Sequence, residues 1–284
     1  MSLAWLSKRA EQYGRGVVPR SRPSLRAERR LFAAGFSVVG GVDEVGRGAW
    51  AGPVSVGIAV LRAGARRRLP SGLRDSKQLT HEEREALYGP LGSSLAAYAV
   101  GHASPEECDG LGMTAAQRLA ARRAFERLDV LPEVMLLDGT FDFLGSGPES
   151  SSCTFPPVRT IVRGDASSKV IAAASVLAKV TRDRLMELES EHYPWYGFDR
   201  NRGYPTPVHK MALAAWGLTP FHRRSWAFVE ALGYRPSGWL SLGAGGLESP
   251  GPPEPLPGPP SPGPPTPDPP IPGPPEPLPD PVPA

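Results

Sequence analysis

Two adjacent carboxylates, Asp43 and Glu44, follow a run that begins at Val38, and Val45-Gly46-Arg47-Gly48 comes straight after them. Hard divalent cations take oxygen ligands, and glycine-rich turns can aim backbone N–H groups at a nucleic-acid backbone. Neighbouring side chains of a strand point to opposite faces, so two such acids can serve one place only where the strand ends and the chain turns. An exposed acidic turn after a core strand fits the same spacing. Two more acids stand at element ends. Asp138 closes the apolar run Val134-Met135-Leu136-Leu137, and Asp165 follows Gly164. Each has a plainer reading, Asp138 before Gly139 as a turn residue and Asp165 as a helix N-cap.

The elements that must position these acids are legible from periodicity. Val38 to Val45 reads as a buried strand, and the alternating segment from Pro53 to Leu61 as its antiparallel partner. Thr80-His81-Glu82-Glu83 has capping-box spacing, so a helix runs from there to about Leu91. Leu95 to His102 is the third strand. Ser104-Pro105 opens a short helix, and a longer one covers Met113 to Leu128. Val134 to Asp138 has the unbroken apolar character of a buried parallel strand. Val158 to Val162 is the fifth strand. Gly164-Asp165 is expected to open one long helix with Ile171, Ser175, Ala178 and Leu185 along one side. Helices near Pro207–Trp216 and Phe221–Leu232 complete an α/β domain with a mixed five-stranded sheet.

Composition bounds the rest. More than half of residues 250–284 are proline, and no Lys or Arg follows Arg235. Such a segment has too little apolar surface to offset ordering entropy. The expected organisation is a basic N-terminal arm over 1–36, an α/β domain with a C-terminal helical part over 37–235, and a disordered Pro-rich acidic tail over 236–284. The tail carries −5, residues 1–30 carry +6, and the body between them is nearly neutral. A basic arm suits a phosphate backbone. Cys108 and Cys153 do not make a disulfide framework, and no apolar run is long enough to span a membrane, so a reducing, cytoplasmic compartment is expected. A monomer is the working expectation, and no motif in the sequence sets the oligomeric state. An Arg-rich start has a faint transit-peptide character that Glu11 and Glu28 interrupt. The tail also offers Pro-x-x-Pro ligands, although a plain disordered extension is the simpler reading.

Asp43-Glu44-Val45-Gly46-Arg47-Gly48-Ala49-Trp50-Ala51-Gly52-Pro53-Val54 resembles the opening motif of the ribonuclease HII family. Asp75-Ser76-Lys77, Asp138-Gly139, Gly164-Asp165-Ala166, the run Ile171 to Asp183 and Gly203-Tyr204 follow in that family's order. The likeness extends from about Val38 to about Trp226. It implies an RNase H-like fold and an endonuclease acting on RNA–DNA hybrids and on single ribonucleotides embedded in duplex DNA. It also implies two Mg²⁺ or Mn²⁺ ions held by Asp43, Glu44, Asp138 and Asp165, and products with 5′-phosphate and 3′-hydroxyl ends. By the same resemblance Gly46, Arg47 and Gly48 contact the ribose 2′-hydroxyl, Tyr204 stacks at the RNA–DNA junction, and Ser76 and Lys77 hold phosphates. Lys179 and Arg202 are further phosphate candidates. Asp183 reads as a surface ion-pair partner, and His209 and His222 as structural. Val45, Ala49-Trp50 and Arg202 depart mildly from the family pattern, and Trp50 is large enough to reshape the rim. The sister family, ribonuclease HIII, would show an extra N-terminal domain and Glu at position 165. A non-catalytic hybrid-binding protein would not need four acids.

Overall fold

Five strands form one mixed sheet, ordered β3-β2-β1-β4-β5. They are β1 (Val38–Val45), β2 (Val54–Arg62), β3 (Ala97–Ala103), β4 (Val134–Asp138) and β5 (Val158–Ile161). The computed structural model describes residues 22–65, 67–145 and 155–231. Most of the expected arm, with Trp5 and Leu6, lies outside the described residues, as does the tail. β1 to β3 form an antiparallel meander, while β4 and β5 run parallel to β1. This is the mixed sheet that the apolar character of Val134–Leu137 predicts, since a strand covered on both faces has no polar alternation.

Helices cover the two faces. On one side lie α1 (Arg26–Ala33), α2 (His81–Ser94) and the long helix α6 (Lys169–His192), packed on Val39, Leu61 and Leu136. On the other, α3 (Pro105–Leu111) and α4 (Met113–Phe125) pack on Val42, Ile58, Met135 and Leu137. Each fully buried Leu, Ile or Val contributes roughly 1.5–3 kcal/mol of burial free energy. Helix α6 approaches the sheet at Gly41 and Gly57. A Cβ at Gly41 would lie 2.4 Å from the Val170 carbonyl carbon, and one at Gly57 2.5 Å from the Ala174 oxygen. Only glycine permits that approach.

Three expectations need correction. The helix expected from Gly164 onward is two helices, α5 (Gly164–Ser167) and α6, because Ser168 is extended (φ −108°, ψ 129°). Ser168 caps α6 instead, and its hydroxyl donates to Glu28 Oε1 at 2.7 Å. The Val170 N–H donates to the same oxygen at 2.9 Å. Glu28 and Leu31 of α1 are buried, so this part of the expected arm is packed into the body. Asp183 is not on the surface. It is 1 % exposed and meets Lys179, Arg84 and Arg202.

After α6 the chain forms α7 (Phe198–Asn201), α8 (Pro207–Trp216) and α9 (Ala227–Ala231). Their core joins Met186, Tyr196, Phe198, Leu213 and Phe228 to Ala51. Trp50 stacks on Phe228 with ring centroids 4.1 Å apart, so much of this large ring serves packing. No helix among the described residues is long and apolar enough to cross a membrane.

Candidate active site

Strand register brings two acids together. β1 and β4 pair in parallel from Val39 with Val134 to Val42 with Leu137, and the next position on each is Asp43 and Asp138. Val39 and Gly41 face α6, so by alternation Asp43 does too, and Asp138 shares the parity of Val134 and Leu136. Asp165 arrives from the first turn of α5. One carboxylate oxygen from each of Asp43, Asp138 and Asp165 lies within 4.8 Å of the others. Glu44 has the opposite parity and is not in this group of three. It stays beside it, with its backbone N–H donating to Asp43 Oδ1 at 2.8 Å.

Local bonds fix the three acids. The Gly164 N–H donates to Asp138 Oδ1 at 2.6 Å, tying the start of α5 to the end of β4. Arg163 turns the chain there in the left-handed region, φ 53°, and occupies the N-cap without a side-chain bond. Asp165 is therefore inside the first turn and does not cap the helix. Ser175 of α6 lies beside the Asp43 carboxyl, and its hydroxyl donates to Ser76 Oγ at 2.8 Å.

Burial pushes the Asp43 carboxyl well above the usual range, Ser175 opposes this, and Glu44, Asp138 and Asp165 push the same way. Asp165 is raised by burial and then by Asp138 and Asp75, against Lys77. Glu44 is raised by burial, with Arg47 opposing and Asp138 adding. Lys77 is desolvated, yet Asp165, Asp43 and Asp75 raise it overall. Lys77 Nζ is 3.8 Å from Asp165 Oδ2 with most of its side chain exposed. One exposed ammonium does not neutralise four crowded carboxyl groups, and an all-oxygen donor set of this charge fits a hard divalent cation.

The other expected residues divide into two groups. Gly46 turns at φ +86°, after which Arg47 and Gly48 are exposed. The N–H groups of Trp50 and Ala51 donate to the Gly203 carbonyl at 2.8 and 3.2 Å, which fastens this loop beside Tyr204. A Cβ at Gly48 would sit 3.9 Å from Tyr204 Cε1, and Tyr204 is 37 % exposed. Lys77 is near the acids, but Ser76 is buried with its hydroxyl at Ser175. Lys179 and Arg202 are already engaged, Lys179 with Asp183 and Arg202 with Asp183 and Glu187 at 2.6 Å.

Several important residues carried no role in the sequence reading. Ser175 was visible only as a polar residue on an apolar helix face. Arg182 and Arg223 look like any surface arginine in sequence, yet both are completely buried. His209 and His222 meet Nε2 to Nε2 at 2.9 Å in a buried pair.

The ribonuclease HII family profile matches residues 40–229. A ribonuclease HII of Streptomyces avermitilis is 52% identical over 217 residues, covering 76% of this chain and 88% of that one. The crystal structure of a ribonuclease H2 from Pyrococcus horikoshii OT3 is similar at TM-score 0.59 and 30% identity, covering 69% of this chain and 96% of the other. A Bst-RNase HIII structure in complex with Mn²⁺ shares the fold at TM-score 0.58 and 20% identity, covering 80% and 79%.

Proposed function

The chain belongs to the ribonuclease HII family, and from that premise we propose that it incises duplex DNA on the 5′ side of single embedded ribonucleotides as well as cutting RNA–DNA hybrids. Membership makes it a metal-dependent endoribonuclease of the RNase H type, acting on RNA–DNA hybrids. The narrower specificity rests on one observation, that the Gly46-Arg47-Gly48 turn and Tyr204 meet beside the three converging acids.

Asp43, Asp138 and Asp165 would hold divalent cations, with Glu44, next to Asp43 on β1, as the fourth carboxylate beside them. Two Mg²⁺ or Mn²⁺ ions held there would supply activation of the attacking water and stabilisation of the leaving 3′-oxygen. Mn²⁺ accompanies the related fold of Bst-RNase HIII. The chain's own residues do the selecting. Arg47 and Gly48 present backbone N–H groups to the 2′-hydroxyl, a group that both donates and accepts. Tyr204 offers a ring face to the sugar after the ribonucleotide. Lys77, exposed and close to Asp165, meets a phosphate, with the Ser76 backbone beside it. The products carry 5′-phosphate and 3′-hydroxyl ends, and no covalent enzyme intermediate is needed.

The test is cleavage of an end-labelled DNA duplex containing one ribonucleotide, with and without Mg²⁺ or Mn²⁺, alongside Asp43→Asn. A metal-dependent nick 5′ of the ribonucleotide, absent in the variant, is expected. Cleavage of long hybrids without that nick would overturn the narrower specificity.

A further inference from the structure

Two buried arginines grip one loop. Arg182 of α6 donates from Nε to the Pro53 carbonyl at 2.9 Å and from Nη2 to the Ala51 carbonyl at 3.1 Å. Its Nη1 donates to the Arg202 carbonyl, next to Gly203, at 2.9 Å. Arg223 donates from Nη2 to Gly46 O at 2.6 Å and from Nη1 to Arg47 O at 2.9 Å. Its Nε and Nη2 also reach Gly52 O at 3.2 and 3.0 Å. Both side chains are fully buried, and neither has a carboxylate within ion-pair distance among the described residues. Burying two like charges is costly unless every donor is well used. Here the partners are neutral carbonyls, five of them between Gly46 and Pro53.

That choice of partner fixes the opposite edge of the loop. A trans peptide is planar, so the C=O of one residue and the N–H of the next point in opposite directions. Drawing the Gly46 carbonyl inward therefore turns the Arg47 N–H outward, and drawing in the Arg47 carbonyl does the same for the Gly48 N–H. Neither N–H has a hydrogen-bond partner among the described residues, whereas those of Ala49, Trp50, Ala51 and Gly52 are all bonded within the protein. Two adjacent donors at an exposed turn next to the acid cluster are what a ribose hydroxyl oxygen would meet.

We propose that Arg182 and Arg223 are positioning residues for ribose recognition, holding the 46–53 loop by its carbonyls so that the Arg47 and Gly48 N–H groups face the substrate. This rests on the reading of that loop given above. A lysine keeps the charge but cannot make a planar fork of several bonds.

The experiment measures binding in an Asp138→Asn background, which prevents cleavage. Affinity for a DNA duplex with one ribonucleotide is compared with that for the same all-DNA duplex. Arg223→Lys and Arg182→Lys are each expected to lower the ratio of the two affinities by roughly tenfold, the scale of one lost charged hydrogen bond. Arg184→Lys, on the exposed side of α6 beside Glu85, should leave the ratio unchanged. If a lysine variant fails to fold by circular dichroism, Gly46→Ala tests the same clamp from the loop side. Its Cβ would fall 2.3 Å from Arg182 Nε, and the same loss is expected. A ratio preserved in folded variants would overturn the proposal. Equal affinity for the two duplexes in the Asp138→Asn background itself would instead overturn the loop's role in reading ribose.

Discussion

Asp43 and Asp138 stand side by side on two parallel neighbouring strands, one step past the last paired residues, Val42 and Leu137. Their proximity is built into the sheet, so it persists whether or not a cation is bound. Replacing either by Asn keeps the shape and removes one charge. Cleavage is expected to fall by on the order of 10²–10³ or more, the scale for losing one preorganised charge-stabilising group. The thermal midpoint of the cation-free variant should stay level or rise, because repulsion is relieved. Steady-state cleavage and a thermal melt on the same preparation decide it. A variant that melts much lower would mean that the acids also hold the fold together.

The pH dependence of the cation-free protein follows from the same cluster. Asp43, Glu44 and Asp165 all have carboxyls raised above their ordinary values, chiefly by burial. Stability from protonated carboxyls is complete below the unfolded values of about 4 and is lost as pH rises through the raised folded values. The cluster alone should therefore make the cation-free protein less stable toward neutral pH. Mg²⁺ or Mn²⁺ at about 100 times its dissociation constant would restore ~2.7 kcal/mol. Urea midpoints with and without the ion check this. No cation effect on wild type at pH 7, or an equal effect on Asp43→Asn, would contradict it.

Glu28 is expected to matter for stability and not for chemistry. Its Oε1 accepts from both Ser168 Oγ and the Val170 N–H at the start of α6. Glu28→Ala leaves those two buried donors without that partner, at roughly 1–3 kcal/mol each. The denaturation midpoint should drop, while the turnover number measured well below the melting range should hold. A selective loss of turnover would place Glu28 nearer the reaction than its position suggests.

Much of this was legible in sequence, for reasons that vary by residue. The unbroken apolar run ending at Asp138 announced a parallel strand, and a capping box at Thr80 and an N-cap with proline at Ser104-Pro105 gave helix starts that the structure reproduces. Helix Pro207–Trp216 was also foreseen. The break at Ser168 was not, because it depends on Glu28, 140 positions earlier in the chain. Glu44 illustrates a different limit. A pair of adjacent acids says nothing of where the strand stops, and β1 continues to Val45, so strand alternation sets the two apart. Burial of arginine is equally silent: Arg182 and Arg223 are recognisable only once the carbonyls around them have been placed.

Tyr204 offers a test of junction recognition separate from catalysis. Its ring lies next to Gly48, and its carbonyl accepts from His209 Nδ1 at 2.9 Å, so its backbone is held independently of the side chain. Tyr204→Phe keeps the stacking face and is expected to retain most incision at a single ribonucleotide. Tyr204→Ala should lose roughly tenfold, in line with ~1–3 kcal/mol for stacking on an aromatic ring. Cleavage within a long hybrid should fall less, since many positions there present a ribose. Equal losses on both substrates would argue for a general structural role.

The histidine pair behind Tyr204 predicts a pH effect of the opposite sign. The Tyr204 carbonyl can only accept, so His209 Nδ1 carries the proton and His209 Nε2 must accept from His222 Nε2–H, 2.9 Å away. His222 Nδ1 is then free to accept from the Thr219 N–H at 3.0 Å and the Thr219 hydroxyl at 2.8 Å. Making all of these bonds at once requires both rings to be neutral. Burial, then His209, pushes His222 down to about 3, and burial lowers His209 as well. A folded value below the unfolded one near 6.5 means that the unfolded chain takes up the proton first. The contribution is therefore complete above pH 6.5 and is lost as pH falls toward about 3, at up to about 1.4 kcal/mol per pH unit for each such proton. His222→Asn keeps an acceptor for the Thr219 N–H and removes the titration. Urea midpoints of wild type and variant between pH 6.5 and 4 should diverge in slope, with the variant flatter. Taking the difference between the two proteins cancels the carboxylate cluster, which pulls the other way in each. Parallel slopes would show that the pair does not titrate on unfolding, and the assigned neutral tautomers would have to be abandoned.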